Sequence, residues 1–169
     1  RIFEQVCHTV SYCHNRGVIH RDLKPHNIML GEHGEVLVMD FGLARPLNGH
    51  WQPKQSPSRN GSSPPQDNHK SSPGMLTGTP AYMPPEQARG QPDLIDARAD
   101  VFGLGTILYE ILVGEPLYSA TRITEIVRLA AKADLRNQYR KLDLSGSDQE
   151  LVRICRTCID PDLTRRYPD

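Results

Sequence analysis

The sequence predicts a mainly α fold that carries one small β-hairpin and is organised around a buried central helix. Residues 100–113 place apolar side chains (Val101, Phe102, Leu104, Ile107, Leu108, Ile111, Leu112) almost all round a helical projection, as a helix at the centre of a domain does. Residues 121–133 and 149–159 each carry one apolar face at helical period. Two short apolar runs, Ile28-Met29-Leu30 and Val36-Leu37-Val38-Met39, flank Gly31-Glu32-His33-Gly34, which is the pattern of a hairpin.

Taken in order, residues 1–15 read as an amphipathic helix with Ile2, Val6, Val10 and Cys13 on one stripe, and Gly17 as its stop. Val18-Ile19 leads into a polar loop, residues 20–27, and then the hairpin. Between residues 46 and 74 Pro, Ser, Asn, Gln and Gly dominate, and Trp51 is nearly the sole large apolar residue. Such a stretch buries too little surface to offset its ordering entropy, so it reads as a mobile low-complexity insertion. Order resumes at Met75. The central helix closes at Gly114. Gly103-Leu104-Gly105 lies inside that helix, where close packing explains it better than a nucleotide-binding turn.

Composition narrows the function classes. In 169 residues the formal net charge is zero, so no global field argues for nucleic acid or a membrane surface. The longest apolar stretch, residues 101–113, is too short to span a bilayer, and no leader pattern opens the chain. Cys155 and Cys158 form a lone CxxC. With Cys7 and Cys13 they read as buried free thiols, which suits a reducing, cytoplasmic compartment.

Three motifs carry the chemistry: His20-Arg21-Asp22-Leu23-Lys24-Pro25-His26-Asn27 on a loop, Asp40-Phe41-Gly42 after a strand, and Gly78-Thr79-Pro80-Ala81-Tyr82-Met83-Pro84-Pro85-Glu86. Each is weak alone, but in this order and spacing they resemble the protein-kinase signature set, whose residue types suit phosphoryl transfer. That reaction asks for position and charge more than covalent help. Asp22 can orient a hydroxyl and take its proton. Asp40 and Asn27 offer hard oxygen ligands for Mg²⁺, and Lys24 can offset charge on the transferring group.

These motifs resemble the eukaryotic-type protein kinase superfamily over nearly the whole chain, apart from the insertion. The resemblance implies a kinase C-lobe: Asp22 as catalytic base, Asn27 and Asp40 as metal ligands, and Lys24 as the contact to the γ-phosphate. ATP and Mg²⁺ (with Mn²⁺ as an alternative) are the implied cofactors. The Lys in His-Arg-Asp-Leu-Lys-Pro resembles serine/threonine rather than tyrosine kinases. By the same resemblance, Thr79 bonds Asp22 and Lys24 and seats a Ser or Thr of a protein substrate. Met29 floors the adenine, Ile28 and Leu30 flank it, and His20 and Phe41 join a spine. Asp100 holds the His20-Arg21 backbone, and Glu86 pairs with Arg166, with Arg165 as the alternative. Arg21 is implied as the partner of a regulatory phosphate, with Thr77 as first acceptor, then Ser71 and Ser72. The wording from Gly78 to Ala88 is similar to bacterial members.

The sequence departs from the family at three points. Pro84 replaces the usual Ala before Pro85-Glu86, the segment from Asp40 to Glu86 is long, and no Gly-rich phosphate loop, strand Lys or partnering Glu is present. A chain without these elements is expected to be weak or inactive by itself. The competing readings are a catalytically silent scaffold, which the intact Asp22, Asn27 and Asp40 disfavour, and a small-molecule kinase, which Thr79-Pro80 disfavours. Oligomeric state is left open.

Overall fold

The computed structural model describes residues 1–47 and 78–169. The insertion from residue 46, with Ser71, Ser72 and Thr77, lies almost wholly outside the described residues.

Helix α1 (Ile2–Asn15) buries Val6, Val10 and His14. Its inward face is therefore turned from the expected stripe: Ile2 is 51% exposed and Cys13 is half-buried. Spacings of three and four select Phe3, Val6, Val10 and His14 together, and His14 is admitted because it finds a buried partner on another helix. Gly17 ends the helix at φ 73, a backbone that costs a glycine little.

Strand β1 (Val18–Ile19) pairs antiparallel with β4 (Arg45–Pro46), Val18 opposite Pro46. This two-residue pairing closes the loop that holds the first two motifs, and nothing in so short a run announces it. The predicted hairpin forms from β2 (Ile28–Leu30) and β3 (Val36–Val38), with Ile28 opposite Val38 and Leu30 opposite Val36.

Past a short helix α2 (Pro85–Ala88) comes the central helix α3 (Ala97–Val113), capped by the Asp96 carboxylate accepting from the Arg98 amide and closed by Gly114 at φ 83. Most of α3 is buried. Its last turn is not, with Ile111 61% exposed, so the all-round apolar pattern overstates burial there. Helices α4 (Ile123–Lys132), α5 (Arg136–Leu144) and α6 (Gln149–Cys158) follow.

Two cores meet at α3. Phe102, Leu108 and Tyr109 pack with Leu117, Tyr118, Leu135, Leu142, Cys155 and Ile159. Ile107 packs with Val6, Val10 and Leu23, against the half-buried hairpin residues Ile28, Val36 and Val38. The second core seats the motif loop. Cys155 and Cys158 are buried, whereas Cys7 and Cys13 are only half-buried, which corrects the expectation for that pair. All four are free thiols, and burial pushes the Cys155 and Cys158 thiols up to about 12. No helix among the described residues is long and apolar enough to cross a membrane.

Candidate active site

The loop after β1 is held from below by one carboxylate. Asp100, on the first turn of α3, accepts from the His20 amide on Oδ2 at 2.7 Å and from the Arg21 amide on Oδ1 at 2.8 Å. His14 Nε2 donates to Oδ2 at 2.9 Å. A carboxylate only accepts here, so the His14 hydrogen sits on Nε2. Arg21 lies at φ 71, a conformation that costs a non-glycine residue about 1–3 kcal/mol and persists where its surroundings over-determine it. The Asp100 bonds do part of that holding.

Above them Asp22 is buried, and its carboxylate is aimed by three groups. Lys24 Nζ donates to Oδ2 at 2.6 Å, and the Thr79 amide donates to Oδ1 at 2.8 Å. Asn27 Nδ2 donates to the Asp22 carbonyl at 2.9 Å and lies 3.5 Å from Oδ2. Lys24 Nζ also donates to Thr79 Oγ1 at 2.7 Å. The expected contacts of Thr79 with Asp22 and Lys24 are thus both present.

The Asp40-Phe41-Gly42 motif is tied to the same loop through backbone. The Met39 amide donates to the Asn27 carbonyl at 2.8 Å, and His20 Nε2 donates to the Met39 carbonyl at 2.9 Å. With its hydrogen on Nε2, His20 accepts from the Asp22 amide on Nδ1 at 3.3 Å. The Phe41 ring meets His20 edge to face, centroids 4.7 Å apart. Asp40 is exposed at φ 63, and its Oδ1 accepts a long bond of 3.4 Å from the Gly42 amide. Met29 and Leu30 stand exposed on the hairpin, with Ile28 half-buried between hairpin and core.

Asn27 turns its amide nitrogen to the oxygens of Asp22, which leaves Oδ1 on the other side. That oxygen and the exposed Asp40 carboxylate are both hard oxygen donors, the type that Mg²⁺ takes alongside phosphate and water. No group of three or more His, Cys, Asp or Glu side chains able to hold a metal occurs among the described residues.

Glu86 pairs with Arg166 in a bidentate contact, at 2.8 and 3.0 Å, with both side chains buried. Arg165 pairs with Asp162 instead. Arg166 also donates to the carbonyls of Asp160 and Arg98 and lies over Phe102. The Arg21 guanidinium is held below its usual pKa by burial first and then by the like charge of Arg45.

Sequence reasoning missed three contributors. His14 and Gln87 act across 86 and 66 residues of chain, where no local pattern points to a partner. Tyr82 donates to Glu110 Oε2 at 2.8 Å, and burial followed by that bond pushes its phenol well above the usual range. Only its place in the third motif hinted at it.

Residues 1–168 match the family described as protein kinase domain. The serine/threonine-protein kinase PknD of Protochlamydia amoebophila is 34% identical over 172 residues, covering 99% of this chain and 17% of that protein. The serine/threonine-protein kinases PknB of Mycolicibacterium smegmatis and Mycobacterium leprae are 43% and 41% identical over 115 residues, 68% of this chain, and 16% and 15% of those proteins. The chain therefore spans about a sixth of the length of these relatives.

Proposed function

The chain belongs to the protein kinase domain family, and from that premise we propose that it is the C-lobe of a serine/threonine protein kinase that transfers the γ-phosphoryl group of ATP to Ser or Thr hydroxyls of protein substrates. The observation that carries this is the triangle of Asp22, Lys24 and Thr79, closed by bonds of 2.6, 2.7 and 2.8 Å. Such a triangle leaves a carboxylate with spare lone pairs and an ammonium side by side at the edge of one loop.

In this reading the Asp22 carboxylate accepts a hydrogen bond from the substrate hydroxyl and aligns its oxygen with the γ-phosphorus. As the new oxygen–phosphorus bond forms, the bond to the β-phosphate oxygen breaks, ADP departs and the hydroxyl proton passes to Asp22. Lys24 offsets negative charge on the transferring group. Thr79 holds Lys24 and backs the substrate hydroxyl. Asn27 and Asp40 would hold Mg²⁺ (or Mn²⁺), which supplies neutralising charge on the phosphates. Met29, exposed on the hairpin, floors the adenine. A phosphate on the segment after Arg45, with Thr77 as first acceptor, would relieve the repulsion between Arg21 and Arg45. A cytoplasmic site of action is part of the same proposal.

The test is Asp22→Asn in the intact gene product containing this segment. Transfer from labelled ATP to Ser or Thr should fall roughly 10²–10⁴-fold, the usual worth of a positioned base, with nucleotide affinity little changed. Unchanged transfer would favour the scaffold reading.

A further inference from the structure

We infer that Gln87 is a positioning residue that sets the angle of Asp22 from the substrate-binding side, an assignment that rests on the kinase reading above. The critical unit is the peptide group joining Arg21 to Asp22. Arg21 is in the left-handed region at φ 71, so its next torsion, and with it the direction of Asp22, depends on how this peptide is turned. Asp100 takes the Arg21 amide, on the far side of that torsion. The peptide's own two ends are taken by others. Its N–H reaches His20 Nδ1 in a bond of 3.3 Å, and its carbonyl accepts from Gln87 Nε2 at 3.1 Å.

Gln87 is well placed to impose an angle. Its side chain is buried, and it stands on α2 beside Glu86, whose bidentate pair with Arg166 anchors that helix to α3 and the chain's last turn. A donor on so fixed a base acts as a strut. Gly78 supplies the clearance: a Cβ there would lie 2.7 Å from Gln87 Nε2 and 3.6 Å from the Arg21 carbonyl. Residue 78 also sits at φ 112, which only glycine adopts readily. One residue later the Thr79 amide meets Asp22 Oδ1. The segment that seats the substrate thus reaches the catalytic loop twice, by Thr79 onto the carboxylate and by Gln87 onto the peptide behind it.

Two variants of the intact gene product test this. Gln87→Leu keeps the volume and removes the donor, while Gln87→Glu puts an acceptor against the Arg21 carbonyl. If the strut sets Asp22, kcat falls about tenfold or more, in proportion to one lost hydrogen bond. KM for ATP and for the protein substrate should stay within roughly threefold, as for a contact felt only in the transition state. Gln87→Glu should be the worse of the two. Amide hydrogen exchange over residues 20–24 should quicken in both variants, with that over residues 149–158 unchanged. The assignment is overturned by unchanged kcat and exchange, or by equal losses in both variants that track the melting temperature. Should the wild-type protein transfer no phosphate, the kinase reading falls, yet the exchange result still decides whether Gln87 holds the Arg21–Asp22 peptide.

Discussion

Among the described residues two carboxylates lie almost fully buried, Glu86 at 2% exposure and Asp100 at 1%, and their surroundings are built on different principles. On α2, Glu86 meets a full opposite charge, the guanidinium of Arg166, in a planar two-bond contact. Beneath the loop of residues 20–27, Asp100 meets two backbone amides and an imidazole. The first arrangement joins elements, since Arg166 also reaches the carbonyls of Arg98 and Asp160. The second holds a loop whose backbone is strained at Arg21. A charge pair clamps pieces that already pack well. A carboxylate collecting amide hydrogens dictates local backbone shape, which a site for chemistry needs and a core does not.

Breaking the clamp should produce the largest effect. Arg166→Met leaves Glu86 buried without its partner, and removing one side of such a pair costs about 3–5 kcal/mol. For a chain of this size that lowers the melting temperature by roughly 6–20 °C, read by circular dichroism. Replacing Glu86 and Arg166 together with apolar residues of similar volume should restore much of the loss. If the single and double variants melt alike, the clamp is not what joins α2 to α3.

The other carboxylate should yield a smaller and more local loss. His14→Leu removes one of three donors to Asp100, and a bond to a charged group is worth about 1.5–3 kcal/mol. His14→Gln keeps a donor near Nε2 and should stay close to wild type. Amide exchange at His20 and Arg21 should quicken in the Leu variant alone. Equal behaviour of the two variants would mean that His14 matters only as packing.

Legibility in the sequence divides along the same line. The central helix, the hairpin and the motif loop were readable because each has a local signature: apolar periodicity, a Gly-bounded turn, or a fixed spacing of Asp22, Lys24 and Asn27. Helix α5 was not, because Arg-Asn-Gln-Tyr-Arg-Lys-Leu-Asp-Leu is mostly polar and is held by Leu142 in the core and Tyr139 at its edge. The buried face of α1 takes His14 where the apolar pattern offers Cys13, because a histidine looks unfit for a core until Asp100 is placed beside it. The pairing of Glu86 with Arg166 was available only through family resemblance. Gln87 had no signal, since its partner is a backbone carbonyl, which every residue carries.

The smallest effects come from the two glycines of α3, which face the end of α6 and the motif loop from one helix. A Cβ on Gly105 would lie 2.5 Å from Cys158 Cβ and 2.7 Å from Ile159 Cγ2, with the Cys158 carbonyl carbon at 3.2 Å. A Cβ on Gly103 would lie 3.0 Å from Leu23 Cβ, in the motif loop, and 3.6 Å from the Leu23 carbonyl. Alanine gains about 0.8–1 kcal/mol over glycine inside a helix, while overpacking costs about 1–3 kcal/mol. At Gly105 the overlap is severe, and the atoms met belong to the end of α6, itself packed on α3, so the cost should win and melting should fall by a few degrees. At Gly103 the overlap is only a few tenths of an ångström, and it is met by Leu23, on the loop that bears Asp22 and Lys24. Gly103→Ala should therefore leave melting nearly unchanged and lower transfer activity instead, because Leu23 lies between Asp22 and Lys24. The contrast between a packed core and a shaped loop fails if Gly103→Ala destabilises the fold as much as Gly105→Ala.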